Sequence, residues 1–109
     1  MANDFINTGK RIEWAGFDCD VWLGSYVKSG APALALMERG TGEDVVVASV
    51  NLSVLPPTGC VWIKDWTENE GMLAALVAAG VVEDTGMRRE TGFCEAALCR
   101  LLVPERREP

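Results

Sequence analysis

The chain has 109 residues, 49% of them hydrophobic and 24% charged, a composition typical of a globular protein and not of a disordered one. Ten basic and sixteen acidic side chains give a net charge of −6, which argues against direct nucleic-acid binding. No apolar run approaches the ~18 residues of a membrane span, and the N-terminus lacks the basic start and apolar core of a secretory signal, so we expect a cytoplasmic protein without membrane contact.

The first half of the chain is predicted to consist of strands. Residues 11–17 and 21–28 are expected to form the first two, the second because its side chains alternate with two large aromatics on one face. Residues 33–38 could be helical by propensity, but they are few and lie between turn-forming segments, so they are expected to form the third strand. Residues 44–52 contain the β-branched run VVVASVNL, and we expect this strand to be central in the sheet. The prolines and glycine of residues 56–59 exclude regular structure.

The local chemistry of residues 61–82 predicts a strand, a helix and a second strand. We expect the first strand at 60–65 and the helix at 68–79. Thr67 and Glu70 have the spacing of a capping box, in which each side chain satisfies a free N–H at the start of the helix. Apolar residues at one-face spacing predict that one stripe of the helix is buried, formed by Met72, Leu73, Leu76 and Val77.

Gly80 is predicted to end the helix, because glycine readily adopts the left-handed conformation that closes a helix. Residues 83–90 are predicted to be a polar loop, and residues 91–103 a last strand. Together the elements predict an α+β domain with an antiparallel or mixed sheet of about five to six strands and one main helix packed on one face. With no internal repeat or linker apparent, residues 1–109 are expected to form a single domain, with residues 1–10 and 104–109 as loose termini.

Few catalytic or metal-binding arrangements are available to this chain. It has no histidine, which excludes Ser-His-Asp and Cys-His catalysis and histidine-ligated metals. The cysteines lack the paired spacing of a structural zinc site and are expected to be reduced and buried as small apolar residues, at Cys19, Cys60, Cys94 and Cys99. We predict no catalytic residue, no metal and no cofactor.

The densest negative charge in the sequence lies at Asp65, Glu68, Glu70, Glu83 and Asp84. Helix capping explains Glu70, the helix dipole explains Glu68 in part, and the remaining three have no local structural reason in the sequence. Capping and solubility are one explanation of this cluster. The other is a surface for a basic partner, with Trp66 as an apolar anchor beside it.

The run VWIKDWTENEGML, residues 61–73, followed by Leu76-Val77 and Gly80-Val81-Val82, resembles a family of small uncharacterised proteins found in bacteria, their plasmids and their phages. Its core is VWIKDWTENEG, and the resemblance covers about residues 45–103. It implies a mobile-element setting in a bacterial host cell and no known catalytic residue.

Small acidic proteins of mobile elements resemble inhibitors of host defence that present carboxylates in place of nucleic-acid phosphates. We therefore expect an anti-CRISPR-like protein that binds a basic surface on a defence complex, such as a CRISPR effector subunit, through Asp65, Trp66, Glu68, Glu70, Glu83 and Asp84. The alternative is a non-catalytic structural module that associates with itself, for example as a homodimer, through an exposed sheet face or edge. A small hydrolase that uses carboxylates as acid and base is the third and weakest reading.

Overall fold

The structure is a computed structural model that describes residues 2–103, with side chains from Phe5 onward. These residues form seven strands, a 3-10 turn and one α-helix. The strands are β1 Ala2–Trp14, β2 Phe17–Tyr26, β3 Pro32–Glu38, β4 Asp44–Val47, β5 Cys60–Ile63, β6 Val82–Thr91 and β7 Cys94–Leu101; the 3-10 turn is Thr67–Asn69 and the helix, α1, is Met72–Ala78. Residues 104–109, predicted to be a loose terminus, lie outside the described residues.

The strands form two antiparallel sheets. Sheet A has the order β1-β2-β3-β4 and sheet B the order β5-β7-β6. The predicted α+β class with antiparallel strands is confirmed, but the prediction of one sheet with five to six strands is wrong. Strand β1 also begins well before residue 11, and the first hairpin turns at Ala15-Gly16 instead of at residues 18–20, so Cys19 lies within β2.

The two sheets are joined by the residues that follow β4. The N–H of Ala48 donates to the carbonyl of Leu34 in sheet A at 2.8 Å, while its carbonyl accepts from the N–H of Lys64, next to sheet B, at 3.0 Å. Ser49 forms an isolated bridge with Ile63. Because the chain passes from one sheet to the other here, the strand predicted at 44–52 ends at Val47, and β4 lies at an edge of sheet A instead of at its centre.

One hydrophobic core contains side chains from both sheets and from α1. Its fully buried members include Val21, Leu34 and Leu36 of sheet A, Val61, Ile63 and Cys99 of sheet B, and Met72 and Leu76 of the helix. Burying this much apolar surface between the layers is the main favourable term in folding. The helix therefore packs into a core shared by two sheets and not onto one face of a single sheet, which corrects the predicted packing.

The helix is shorter than predicted and starts differently. Thr67 has a left-handed φ of 53°, and the N–H of Glu70 donates to its backbone carbonyl and not to its hydroxyl, so the predicted capping box does not form. The helix begins only at Met72, and Val77, predicted to be buried, is 43% exposed. Its end is as predicted: Gly80 has a φ of 75° and its N–H donates to Val77.

Sheet B has a second apolar face, directed away from the shared core. Trp62, Ala96 and Leu98 are buried there in a separate cluster that also includes Val50, Leu52, Cys60 and Trp66. The indole N–H of Trp62 donates to the carbonyl of Val54 at 2.9 Å. The loop that contains Val50, Leu52 and Val54 thus covers the outward face of sheet B.

Strand β1 contains a bulge in which residues 8–10 lie opposite the single Val21 of β2. The hydroxyl of Thr8 donates to the Val21 carbonyl at 2.7 Å and accepts from the N–H of Lys10 at 3.2 Å. The side-chain oxygen of Asn7 accepts from the N–H of Gly9 at 2.8 Å, and Gly9 has a φ of 85°.

Strand β6 contains the same bulge, with residues 85–87 opposite Leu98 of β7. The hydroxyl of Thr85 donates to the Leu98 carbonyl at 2.6 Å and accepts from the N–H of Met87 at 3.2 Å. A carboxylate oxygen of Asp84 accepts from the N–H of Gly86 at 2.9 Å, and Gly86 has a φ of 88°. Residues 83–90 are therefore a strand, and the predicted polar loop is wrong.

The two bulged hairpins extend into matching three-stranded units. In the first unit β3 pairs with β2, and in the second β5 pairs with β7, both antiparallel. This structural repeat is not apparent in the sequence, because little more than a Thr-Gly pair recurs. In addition, the third strand follows the hairpin in one unit and precedes it in the other. No helix of the described part is of a length and apolarity that would let it cross a membrane.

Candidate protein-binding surface

Asp65, predicted to contact a partner, holds the start of α1. One of its carboxylate oxygens accepts from the backbone N–H groups of Gly71 and Leu73, both at 3.0 Å. These groups are among the free donors of the first helical turn, so Asp65 performs the capping predicted for Thr67 and Glu70. It therefore has a local structural reason, which the sequence analysis did not find.

Glu68 and Glu70 lie in the turn before the helix. Glu68 accepts a charged hydrogen bond from Lys64 at 2.8 Å and a second hydrogen bond from the Thr67 hydroxyl, which lower the pKa of this fully exposed carboxylate to about 2. Glu70 is exposed, and its backbone N–H donates to the carbonyl of Thr67. Within residues 5–103 no ion pair or side-chain hydrogen bond of Glu70 is found, so it is the one predicted acid that remains free for a partner.

Glu83 and Asp84 are consecutive residues of β6 and hence point to opposite faces of sheet B. Glu83 forms an ion pair with Arg100 on the neighbouring strand. Asp84 binds Arg88 through both carboxylate oxygens, at 2.9 and 3.0 Å, and this pairing together with the N–H of Gly86 lowers its pKa. The two acids do not form one surface.

Three further residues of the VWIKDWTENEG core also have structural roles. Trp66 is half-buried against the cluster around Trp62. Asn69 is completely buried, and its amide donates to the carbonyl of Val47 at 2.8 Å, which connects the 3-10 turn to β4. Gly71 has a φ of 96°, a conformation that favours glycine. The motif thus holds the segment between β5 and α1 in place.

The outward face of sheet A carries an open apolar groove of about 510 Å³, here called the outer groove, lined by Phe5, Tyr26, Ala33, Ala35, Met37 and Asp44–Val47. Its floor is the pair of small residues Ala33 and Ala35, which are 0% and 5% exposed. Val47 at its margin is 49% exposed. A concave, mostly apolar site of this size is typical of a binding site.

Carboxylates from all four strands of this sheet and from one turn lie at one end of it, here called the acidic end: Glu13, Asp18, Asp20, Glu38, Glu43 and Asp44. Strand register places Glu13 opposite Asp18, and Met37 between Asp20 and Asp44. Burial raises the pKa of the Cys19 thiol at this end, and the surrounding carboxylates raise it further. The charge at this end of the sheet is therefore negative.

Two cations partly offset this charge. Arg39 lies 3.5 Å from Asp18 and 3.4 Å from Asp20, and Arg11 is opposite Asp20 in the strand register. Asp44 both lines the outer groove and belongs to the acidic end, and within residues 5–103 its carboxylate has no ion pair or hydrogen bond. An apolar groove thus adjoins an uncompensated negative charge.

The edges of both sheets are protected against pairing with another chain. Strands β1 and β6 carry the Thr-Gly bulges, which disrupt a regular edge. The amide of Asn69 binds the edge strand β4 at Val47, and β5 is covered by the N–H of Val50, which donates to Trp62, and by the bridge at Ser49. The outward face of sheet A is therefore more accessible to a partner than the edges are.

Sequence reasoning missed both features for the same reason. The acidic end is assembled from residues between 13 and 44 that are far apart in the chain, whereas residues 65–84 are dense in acids along the sequence. The only local signals were the acids at residues 18 and 20 and at 43 and 44, which lie in or beside expected turns. The alanines of β3 gave no sign that they form the floor of a groove.

All four cysteines are free. Cys19 and Cys99 are buried, as expected of small apolar residues, whereas Cys60 and Cys94, also expected to be buried, are only partly so. Burial raises the pKa of the Cys99 thiol to about 12. In the part of the chain that the structure describes, no group of three or more cysteine or carboxylate side chains is placed to hold a metal ion.

No family model matches the chain, and no curated protein or solved structure is significantly similar to it.

Proposed function

We propose that this protein acts by binding another protein and not by catalysis, and that it inhibits a host defence complex, such as a CRISPR effector, by covering a basic surface. The supporting observation is that the acidic end of sheet A adjoins the outer groove. Steering by the carboxylates would raise the rate of association, and burial of the groove would slow dissociation. The resemblance to proteins of plasmids and phages supports the defence setting.

This proposal moves the binding surface away from the acids that the sequence favoured. Asp65, Glu83 and Asp84 each have intramolecular partners that a basic surface would have to displace. Removing one member of such a pair leaves the other unsatisfied, which opposes binding. The acidic end contains more carboxylates than cations, so a basic partner can bind there without breaking an existing pair.

The proposal is tested by pull-down of purified effector subunits at two salt concentrations. Charge reversal at the acidic end, Glu43→Lys with Asp44→Lys, is expected to weaken binding by roughly tenfold or more, which corresponds to about 1.4 kcal/mol. Glu68→Lys with Glu70→Lys is the matched control and should change binding much less. Binding by the wild type should fall with added salt because exposed charges are screened.

Two results would contradict the proposal. If neither charge reversal affects binding to any basic partner, carboxylates do not recognise it. If the Glu68 and Glu70 variant alone loses binding, the surface predicted from the sequence is the correct one.

Self-association remains the second candidate, because the outward face of sheet A is uncovered. Sedimentation velocity distinguishes it from binding to another protein. A stable dimer that dissociates on Val47→Arg would support the self-associating module. The third candidate, a carboxylate hydrolase, would use a carboxylate with a raised pKa, whereas the pKa values of Glu68 and Asp84 are lowered.

A further inference from the structure

We infer that the outer groove takes one bulky aliphatic or aromatic side chain from an extended segment of a partner protein, in which a nearby arginine or lysine meets Asp44. This inference rests on the proposed function and deepens it, because it names the chemistry of the partner segment.

The size and lining of the groove favour an apolar side chain. Its volume of about 510 Å³ lies within the range of ~300–1,000 Å³ common to ligand sites. Because Ala35 lines the groove together with Tyr26, Phe5 and Met37, a larger residue at this position is expected to reduce the volume of the groove. The hydroxyl of Tyr26 is already paired with Ser49 at 2.9 Å, so it places no unsatisfied polar group against an apolar guest.

The negative charge beside the groove predicts which kind of residue lies next to that side chain in the partner segment. Among the described residues that line the groove, Asp44 is the one with a charge, and it also belongs to the acidic end of the sheet. A cation placed here is attracted by several carboxylates, whereas a carboxylate would be repelled. The partner segment should therefore combine an apolar anchor with arginine or lysine.

Sheet B provides a precedent for an extended segment as the occupant. Its outward face is covered by the loop of this same chain that contains Val50, Leu52 and Val54, with Trp62 bound to a backbone carbonyl. A second copy of the protein fits the groove of sheet A less well. A two-fold dimer would present the same patch from both partners, so two net negative acidic ends would be brought close together, which is unfavourable.

The test is selection of a random heptapeptide library displayed on phage against the intact protein, with counter-selection against Ala35→Leu. Selected peptides should contain an aliphatic or aromatic residue and an arginine or lysine. Their affinity, measured by fluorescence anisotropy, is expected to fall about tenfold with Ala35→Leu and severalfold with Asp44→Asn. Ala74→Leu, the same change at an exposed helical position, and Glu70→Gln are the matched controls and should bind as the wild type does.

Val47→Arg provides a second test of the groove, because this residue is 49% exposed and its replacement leaves the core untouched. It should abolish binding of the selected peptides even if Ala35→Leu does not fold. The inference is overturned if no peptides are enriched, if enriched peptides bind Val47→Arg equally well, or if they lack a cation. It is also overturned if the wild type forms a dimer through the groove.

Failure of this inference is distinguishable from failure of the proposed function. If the pull-down depends on Glu43 and Asp44 while no groove peptide is found, the acidic end binds a partner without an apolar anchor. If peptides bind the groove but no basic protein partner is affected by charge reversal, the proposed function fails and the groove remains a peptide site.

Discussion

The two three-stranded units, β1-β2-β3 and β6-β7-β5, have the same register and bulge but turn opposite faces to the core. Val21 and Leu98 occupy the same position opposite the bulge, yet Val21 lies in the shared core while Leu98 lies in the cluster on the outward face of sheet B. The same is true of Leu36 and Trp62 on the third strands. Both faces of each unit carry apolar residues. The alternation of apolar and polar residues along a strand therefore does not predict which face lies in the shared core.

What differs between the units is the covering of the second face. In sheet B, the loop with Val54 covers Trp62 and its neighbours. In sheet A, the outward face with Ala35 and Met37 is left as the outer groove. Apolar surface that the chain does not cover itself is the feature that distinguishes a binding face from a core face.

The largest effects are expected when residues on the two faces of one strand are truncated, in β3 of the first unit and in β5 of the second. Leu36→Ala should reduce the free energy of unfolding by about 2–5 kcal/mol, and Met37→Ala, facing the groove, by only about 1 kcal/mol. In sheet B both faces are covered, so Trp62→Ala and Ile63→Ala should each cost about 2–5 kcal/mol. Urea denaturation measures all four. Equal losses for Leu36→Ala and Met37→Ala would show that the outward face of sheet A is covered after all.

The bulges provide a second comparison, because they are expected to respond alike. Gly9→Ala and Gly86→Ala should each destabilise the protein by about 1–2 kcal/mol, since an alanine is strained at positive φ. At both sites a new Cβ would meet no atom within 4 Å, so steric clash does not contribute. Chemical denaturation of the two variants tests the equivalence. A loss at only one site would mean that the bulges are not equivalent.

A third comparison concerns the connection between β5 and β6, which has no counterpart in the first unit. Asp65→Ala should lower stability by about 0.5–2 kcal/mol because two N–H groups at the start of α1 lose their acceptor. Glu70→Ala is the control and should have little effect, whereas a capping box would make it costly. Thermal unfolding followed by circular dichroism distinguishes the two residues.

The smallest expected effect on stability concerns Cys99 and appears only at alkaline pH. The equivalent position in the first unit is occupied by Trp22, which does not titrate. Burial raises the pKa of Cys99 from its ordinary value of 9.0 to about 12, so above pH 9 the folded protein retains a proton that the unfolded chain loses. This contribution to stability is complete below pH 9 and is lost as pH rises towards 12. Urea midpoints between pH 8 and 11 should therefore fall more steeply for the wild type than for Cys99→Ala. Parallel pH profiles would contradict the assignment.

Local patterns in the sequence predicted several elements correctly. Strand β3 follows from a short apolar run between turn signals, the start of β5 follows from β-branched and aromatic residues, and Gly80 ends α1 as expected. The predicted capping box failed because Thr67 has a left-handed φ and the helix begins only at Met72, where Asp65 accepts from the N–H groups of Gly71 and Leu73 instead. The polar residues 83–90 were predicted to be a loop because they lack the apolar alternation that usually indicates a strand. An exposed edge strand such as β6 does not need that alternation.

The candidate site was the least predictable part. Acids dense along the chain, such as Asp84, proved to be paired with cations that the fold brings beside them, here Arg88. Acids spread along the chain, such as Glu13 and Asp44, proved to share one end of a sheet. Charge density along a sequence and charge density on a surface are different quantities, and binding depends on the second.

The sequence by itself determined the strand-rich α+β class, the position of the helix stop and the absence of histidine chemistry, because each depends on residue identity or on a few neighbouring residues. Only the tertiary structure decided that there are two sheets, that the two units face opposite ways and that the outward face of sheet A is left uncovered. These features depend on register and coverage between residues distant in the chain. No local spacing carries that information.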